Sequence, residues 1–198
     1  MSADPRPDPR LEAYLGLLAK WNAAYNLTAV RDPAQMRIQH LADCLAVVEP
    51  LRRQLGAAVP ARILDVGSGG GLPGVVLAIA DPAWDVTCVD AVGKKAAFVR
   101  QVAAELALPN LHAEHTRVEA LGTASFDVIT SRAFGSLGDF VRSTRPLLAP
   151  RGVWMAMKGR RPDDEIAALP ADVAVFHVEP LTVPGLDAER CLVWMRPR

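Results

Sequence analysis

A glycine-rich segment between an apolar strand and an apolar helix constrains the fold of this chain more than any other feature. The segment reads Asp65-Val66-Gly67-Ser68-Gly69-Gly70-Gly71-Leu72-Pro73-Gly74. Glycines allow a backbone to turn sharply and to approach a ligand, and the following helix presents free N–H groups at its first turn. A strand–loop–helix unit of this kind predicts a ligand site at the carboxyl end of the strand.

Apolar strands and helices alternate along the chain after residue 61. Apolar runs predict strands at residues 63–66, 86–90, 111–115, 126–130 and 153–157, with two more near 173–178 and 191–195. Helices are predicted between them, through residue 80, at 94–106 and at about 139–148. Repeated βα units predict an α/β fold with a mostly parallel seven-stranded sheet and helices on both faces.

The first 60 residues are predicted to form a helical extension that packs on the α/β core of residues 61–198. Apolar residues at helical spacing predict a helix at about 11–25, which Asn26-Leu27-Thr28 interrupts. Asp32-Pro33 resembles an N-cap followed by proline in the first turn, and predicts a second helix through about residue 55. A length of 198 residues suits a single domain.

Composition limits the class of protein. Hydrophobic residues make up 51% and charged residues 22%, as in ordinary soluble enzymes. No apolar run approaches the roughly 20 residues that span a bilayer, so no membrane association is expected. Cys44, Cys88 and Cys191 are widely spaced and predict a reduced, cytoplasmic protein without disulfides. No metal site is expected, because His112 and His115 lie three positions apart on a strand and face opposite sides.

The net charge is zero, but the charges are unevenly distributed. Between residues 131 and 161 one acid, Asp139, accompanies seven basic residues: Arg132, Arg142, Arg145, Arg151, Lys158, Arg160 and Arg161. The remaining C-terminal part is rich in acids. This distribution predicts a local basic face for phosphate groups. The alternative is a solvated surface without a ligand.

A second acid strengthens the prediction of a nucleoside ligand. Asp90 ends the second predicted strand, 23 positions after Gly67, where a carboxylate can accept hydrogen bonds from ribose hydroxyls. Gly69, Gly71 and Gly74 also match GxGxxG, which leaves a nicotinamide oxidoreductase as an alternative. That match lies late in the loop, and this position favours a different cofactor.

The frame Asp65-x-Gly67-x-Gly69-x-Gly71 resembles the first motif of S-adenosylmethionine enzymes. It implies S-adenosyl-L-methionine as cofactor and a class I methyltransferase (Rossmann-like) fold. The fourth strand ends in Thr130-Ser131-Arg132-Ala133-Phe134. Enzymes that methylate exocyclic amines have a Pro-Pro-aromatic sequence there, and no cysteine is placed to attack a pyrimidine ring. The remaining target is an atom that is already nucleophilic, such as a ring nitrogen.

Five further motifs are distributed over about residues 21–195. They are Asn26-Leu27-Thr28-Ala29-Val30-Arg31-Asp32-Pro33, His40-Leu41-x-Asp43, Leu72-Pro73-Gly74, Ser131-Arg132-Ala133-Phe134 and Lys158-Gly159. In this combination the chain resembles the RsmG (GidB) family of bacterial methyltransferases. The resemblance implies methylation of N7 of a guanine in 16S ribosomal RNA, with this RNA or a small-subunit particle as partner. Gln39 departs from the family pattern, which often has arginine there.

The loop motif and the resemblance together imply which residues bind the cofactor. In chain order these are Gly67, Gly69, Gly71, Leu72, Asp90, Ala91, Val92, Val118, Glu119 and Arg132. Asp90, Ala91 and Val92 would meet the ribose, whereas Val118 and Glu119 would bracket the adenine.

Guanine N7 carries a lone pair and no proton, so no general base is expected. Positioning and desolvation then supply most of the catalysis. Phe134 is a candidate for stacking on the displaced base, with a core aromatic as the alternative. The candidates for holding RNA phosphates are Lys158, Arg160 and Arg161. His40 and Asp43 have helical spacing, which favours a structural hydrogen bond between helix and sheet over a catalytic pair.

Two other functions share parts of this pattern. A small-molecule methyltransferase would need the cofactor loop but not the basic segment. A non-catalytic RNA-binding scaffold would need the basic segment, but it would not require the intact Asp65, glycine loop and Asp90. The predicted protein is a monomeric RNA-modifying enzyme.

Overall fold

The computed structural model describes residues 8–56, 60–122 and 124–198. The strands are β1 (Ala61–Val66), β2 (Trp84–Asp90), β3 (Leu111–His115), β4 (Phe126–Ser131), β5 (Leu148–Lys158), β6 (Val173–Leu181) and β7 (Arg190–Pro197). They form one sheet in the order β3-β2-β1-β4-β5-β7-β6. β7 is antiparallel to both of its neighbours, and the other neighbouring pairs are parallel. The predicted α/β fold with a mostly parallel seven-stranded sheet is confirmed.

The helices are α1 (Pro9–Tyr25), α2 (Pro33–Met36), α3 (Asp43–Leu45), α4 (Val48–Leu55), α5 (Gly74–Ala80), α6 (Gly93–Glu105), α7 (Leu137–Thr144) and α8 (Asp163–Ala167). α1 begins two residues before its predicted start, because the Asp8 side chain accepts a hydrogen bond from the Arg10 N–H and caps the first turn. The cap precedes the apolar positions on which the prediction was based.

The predicted second helix, from Asp32-Pro33 to about residue 55, is wrong as one continuous element. It is divided into α2, a π-helical turn (Arg37–Ala42), α3 and α4. Pro50 lies within the first turn of α4 and has no N–H to donate to a preceding carbonyl, so the helix restarts around it. The π turn brings His40 and Asp43 into the interior, where they are 4% and 3% exposed.

Apolar residues cover both faces of the sheet. α1, α4, α5 and α6 pack on one face, and α7 packs on the other. Trp84 and Trp194 are buried on the first face and Trp154 on the second, so their prediction as core residues is confirmed. The N-terminal helices share a core with α5 and α6. The organisation of the whole chain as a single domain stays a prediction. Within the described residues, no helix combines the length and the apolar character that crossing a bilayer requires.

Candidate cofactor and substrate sites

The glycine loop connects β1 to α5 at the carboxyl edge of the sheet. The Gly67 N–H donates to the Val89 carbonyl at 2.9 Å, which ties the loop to β2. Gly67, Gly69 and Gly71 all have positive φ, at 66°, 58° and 83°. A Cβ at Gly67 would meet nothing within 4 Å, whereas a Cβ at Gly71 would lie 2.4 Å from Cγ2 of Val75. Gly67 therefore faces open space, and Gly71 allows the loop to approach α5.

Asp65 supports this loop from inside the protein. Its side chain is fully buried, and Oδ2 accepts a hydrogen bond from the Gly74 N–H at 2.9 Å, at the start of α5. Oδ1 has no hydrogen-bond partner in the described part of the chain. Burial raises the pKa of Asp65 to about 7. The acid of the loop motif thus holds the helix start and does not face the cleft.

Asp90 lies at the opposite side of the loop. Its Oδ2 accepts from the Gly69 N–H at 3.0 Å, and its Oδ1 accepts from the Val92 N–H at 2.8 Å. Lys95 Nζ is 3.6 Å from the same carboxylate. Each carboxylate oxygen has a second lone pair, so these contacts leave acceptor capacity for a hydroxyl. Asp90 therefore orders the glycine loop and remains available to a ligand.

A cleft of about 160 Å³ opens beside this carboxylate, and we call it the cofactor cleft. It is lined by Val66, Gly67, Val89, Asp90, Ala91, Thr116, Arg117, Val118, Glu119 and Phe134. Five of the ten residues predicted to bind cofactor line this cleft: Gly67, Asp90, Ala91, Val118 and Glu119. They come from the ends of β1 and β2 and from the segment after β3. The fold brings these separate parts of the chain to one place.

The other five predicted cofactor residues lie outside the lining of the cleft. Gly69 donates to Asp90, and Gly71 packs against α5. Leu72 is 3% exposed and belongs to the core beneath the loop. Val92 is exposed at the start of α6. Arg132 lines a different pocket.

The residues of the cofactor cleft fit S-adenosylmethionine. Asp90 supplies a charged acceptor for ribose hydroxyls, while Val66, Val89 and Val118 supply apolar walls of the kind that an adenine ring requires. A Cβ at Gly67 would project into open space at the cleft, so this glycine leaves room for a ligand against the backbone.

A second cavity, of about 390 Å³, lies between the N-terminal extension and the carboxyl ends of the strands. We call it the polar pocket, and it is lined by Gln39, His40, Asp43, Arg132, Met157, Lys158, Gly159 and Arg190. Its charged side chains are three cations and one buried carboxylate. A cavity of this size can hold a group as large as a nucleotide.

His40 is held between Thr28 and Arg132. Its Nε2 lies 2.7 Å from Thr28 Oγ1, and its Nδ1 lies 3.3 Å from Arg132 Nη1. Because arginine can only donate, Nδ1 accepts and Nε2 carries the proton. Burial and the nearby Arg132 charge lower the pKa of His40 to about 4. His40 is therefore a neutral structural residue near pH 7. It makes no hydrogen bond to Asp43 in the described structure, and both residues instead connect the helices to the core.

Phe134 lines the cofactor cleft and a small gap beside it. The Ser131 hydroxyl donates to the Val66 carbonyl at 2.9 Å and accepts from the Phe134 N–H at 3.1 Å, which fixes the turn after β4. The Phe134 ring lies 5.6 Å from the ring of Phe140, and the side chain is half-buried. Phe134 packs on the core and also lines the cofactor cleft, while its stacking on the target base stays a prediction.

The residues predicted to bind phosphate lie at the end of β5 and directly after it, and they differ in their surroundings. Lys158 is largely buried, and its Nζ binds both carboxylate oxygens of Glu165, at 2.9 and 3.0 Å. Arg161 is exposed and pairs with Asp163 at 2.6 Å. Arg160 is exposed and forms no ion pair within the described residues. Lys158 borders the polar pocket, and Arg160 and Arg161 line the neighbouring surface.

The predicted basic face is largely neutralised in the fold. Of the seven basic residues between 131 and 161, five form ion pairs with other residues that the structure describes: Arg132 with Asp43, Arg142 with Asp139, Arg145 with Asp172, Lys158 with Glu165 and Arg161 with Asp163. Three of these acids belong to the acid-rich C-terminal part. A count of charges along residues 131–161 omits the acids that come later in the chain. The fold brings Asp163, Glu165 and Asp172 next to the basic residues of this segment.

Tyr14, Arg190 and Thr116 are among the residues of the two sites that were not predicted. The Tyr14 hydroxyl, fully buried in α1, donates to the Gly70 carbonyl at 2.6 Å and supports the glycine loop. The sequence signal for Tyr14 is its position on the apolar face of α1. Arg190 enters the polar pocket from the start of β7, and nothing in its local sequence indicates this. Thr116 could have been included because it follows the carboxyl end of β3.

The seven-stranded sheet with antiparallel β7, and the cleft between a glycine loop and the acid that ends β2, define a class I methyltransferase. The chain belongs to the rRNA small subunit methyltransferase G (GidB) family, whose model matches residues 8–193. This membership confirms the predicted family, enzyme class and cofactor, S-adenosylmethionine.

Relatives of the chain agree with this membership. The rRNA small subunit methyltransferase G of Leptothrix cholodnii is 64% identical over 196 residues, which cover 99% of this chain and 89% of the relative. That of Methylibium petroleiphilum is 62% identical, with coverage of 94% and 84%. The 1,6-didemethyltoxoflavin-N1-methyltransferase of Burkholderia thailandensis has a TM-score of 0.61 and 18% identity, with coverage of 99% and 93%. That structure resembles this chain in its fold.

Proposed function

We propose that this protein methylates N7 of a guanine in the 16S rRNA of the small ribosomal subunit, acting as a monomer in the cytoplasm. The rRNA methyltransferase activity follows from membership of the family. The target atom is supported by the chemistry of the site.

The observation that carries the proposal is the adjacency of the cofactor cleft and the polar pocket, together with a pocket histidine that is not available as a base. Phe134 lines the cleft and a small gap beside it, and Met157 and Lys158 line both that gap and the polar pocket. His40, the histidine of the pocket, is neutral and its lone pair is occupied by Arg132. A target atom that must first lose a proton would therefore have no histidine base in the polar pocket.

The residues of this chain bind and orient the two reactants. Asp90 would hold the ribose of the cofactor, and Val118 with Glu119 would border its adenine. When bound, S-adenosylmethionine supplies an activated methyl group on a positively charged sulfur. Phe134 would stack on the guanine, and Lys158 would hold a flanking phosphate in place of its contact with Glu165. Such positioning contributes as much as about 7–11 kcal/mol in favourable cases.

Methylation mapping tests the proposed function. The purified protein is incubated with small-subunit particles, or with naked 16S rRNA, from cells that lack the corresponding gene. Mass mapping of the RNA should show 7-methylguanine at one position, and none with heat-inactivated protein. Methylation of another atom would overturn the assignment to N7. If neither RNA is methylated but a small molecule is, the small-molecule alternative holds.

The rate of the chemical step should not depend on His40 ionisation between pH 6 and 8. The pKa of His40, lowered to about 4, keeps its ring neutral throughout this range. Single-turnover rates of the wild type and of His40→Gln should therefore have profiles of the same shape. Asp65, with its pKa raised to about 7, ionises in the same range. An inflection is therefore attributed to His40 only if it differs between the wild type and His40→Gln. An inflection that disappears in folded His40→Gln would show that His40 acts as a base.

Changing Arg160 and Arg161 together to alanine should weaken rRNA binding and flatten its dependence on salt. Each lost contact with a single-strand phosphate lowers the slope of log K against log salt by about 0.7. Arg161 already pairs with Asp163, so Arg160 should account for the larger part. Binding is measured at several salt concentrations.

Arg151→Ala is the matched control for this double variant. Arg151 is exposed in the first part of β5, toward the opposite edge of the sheet, so its replacement should leave the slope unchanged. An unchanged slope in the Arg160/Arg161 double variant would mean that these residues form a solvated surface.

A further inference from the structure

A buried carboxylate, that of Asp43, remains without a role in the function proposed above. Asp43 is 3% exposed and lines the polar pocket. Its Oδ1 accepts from Arg190 Nε at 2.9 Å, and its Oδ2 lies 3.8 Å from Arg132 Nη1. Arg132 follows β4 and Arg190 begins β7. One acid of the N-terminal extension therefore holds two arginines of the α/β core.

Each arginine is fixed through part of its guanidinium group. Arg190 uses Nε for Asp43 and Nη1 for the Glu189 carbonyl, at 2.8 Å. Arg132 uses Nη1 for the Gln39 carbonyl, at 3.2 Å, and for His40. A guanidinium has five N–H donors. Within the described residues, Nη2 of Arg190, and both Nε and Nη2 of Arg132, make no hydrogen bond.

The charge in the pocket is also unbalanced. Arg132, Lys158 and Arg190 line it together with the single carboxylate of Asp43. Glu165 neutralises Lys158 from outside the lining, which leaves the two guanidinium groups of Arg132 and Arg190 beside one carboxylate. Two guanidinium groups with free donors, fixed from one side, are suited to a group with two or more anionic oxygens.

We propose that Asp43 is a positioning residue that directs Arg132 and Arg190 toward one anionic oxygen group bound in the polar pocket. This group is either the carboxylate of the amino-acid part of the cofactor or a phosphate of the RNA beside the target guanine. If the anionic group is an RNA phosphate, the inference rests on the proposed function. The cofactor carboxylate requires S-adenosylmethionine as cofactor and no particular RNA.

Asp43→Asn tests the proposal, because it keeps the shape of the side chain and removes its charge. Affinities for S-adenosylhomocysteine and for 5′-methylthioadenosine, which lacks the amino-acid part, are measured by calorimetry without RNA. If the pocket binds the carboxylate, only S-adenosylhomocysteine should weaken, by about 10-fold. If it binds a phosphate, both nucleosides should bind as before, while 16S rRNA binding weakens and its salt slope falls by about 0.7.

A purely structural role gives a different result. Equal weakening of both nucleosides, or no change for any of the three ligands in the folded variant, would overturn the proposal. If Asp43→Asn does not fold, Arg190→Lys serves instead, because it keeps the charge and removes the planar fork. For Arg190→Lys, weaker binding of S-adenosylhomocysteine alone or of 16S rRNA alone supports the proposal. Equal weakening of both nucleosides, or no change for any ligand, contradicts it.

Asp172→Asn is the matched control. It also removes an aspartate–arginine pair, with Arg145 at 3.0 Å, but this pair is exposed and lies beside the amino-terminal ends of β5 and β6. All three affinities should remain at their wild-type values. Because the nucleoside titrations contain no RNA, their result is independent of whether the guanine N7 assignment holds.

Discussion

Asp90→Ala should lower the affinity for S-adenosylhomocysteine by about 10- to 100-fold, a range that follows from the loss of a charged acceptor. Asp90 is 7% exposed and lines the cofactor cleft at the end of β2. A hydrogen bond to a charged group is worth about 1.5–3 kcal/mol. Each 1.4 kcal/mol corresponds to about a tenfold change in the dissociation constant. Isothermal titration calorimetry measures the change directly.

Part of this loss should come from the glycine loop, because the same carboxylate accepts the Gly69 and Val92 N–H groups. Asp90→Asn keeps one carbonyl acceptor and should therefore lose less affinity than Asp90→Ala. Asp85→Ala is a control on the same strand, since Asp85 is half-exposed and pairs with His112. The affinity of the Asp85→Ala variant for S-adenosylhomocysteine should be unchanged. An unchanged affinity in folded Asp90→Ala would contradict the role given to Asp90.

The strands were predictable because each is a short apolar run bounded by turns. The direction of β7 was not predictable, because side chains alternate with the same period in parallel and antiparallel strands. β7 lies between β5 and β6, although it follows both in the chain. The connection through residues 182–189 permits the reversal, and no residue in it signals which partner β7 chooses.

The parts of the site that are local in sequence were predicted, and those that depend on distant contacts were missed. The glycine loop and Asp90 are recognisable because spacing between strand, loop and next strand is a property of the βα unit. Asp43 and Arg190 are separated by 147 positions, and Tyr14 and Gly70 by 56. A single sequence carries no information on such pairs. For the same reason, the basic segment was predicted without its acidic partners.

The π turn between α2 and α3 has a similar explanation. Its side chains have nearly helical spacing, so the sequence pattern of residues 33–55 remains that of a helix. One additional residue in the turn changes the directions of those that follow, and the buried Asp43 comes after it. The contact between Asp43 and Arg190 thus depends on a local irregularity that apolar periodicity does not report.

Gly71→Ala should lower the free energy of unfolding by about 2–5 kcal/mol, the sum of left-handed backbone strain and overpacking. Gly71 has a φ of 83°, and an added Cβ would lie 2.4 Å from Cγ2 of Val75 and 3.2 Å from Cγ2 of Val99. Gly67→Ala has comparable backbone strain without the clash, and should cost about 1–2 kcal/mol. Its Cβ would enter the cofactor cleft, so its main effect should be on S-adenosylhomocysteine binding.

Urea unfolding and calorimetry on the two variants separate these effects. Gly71→Ala should show the larger loss of stability, and Gly67→Ala the larger loss of affinity relative to its loss of stability. Gly16→Ala is the control for glycine replacement itself, because Gly16 lies inside α1 with open space around it. That variant should be about 0.5–1 kcal/mol more stable than the wild type. If Gly71→Ala were as stable as Gly67→Ala, Val75 would have moved aside, and the close approach of the loop to α5 would not be required.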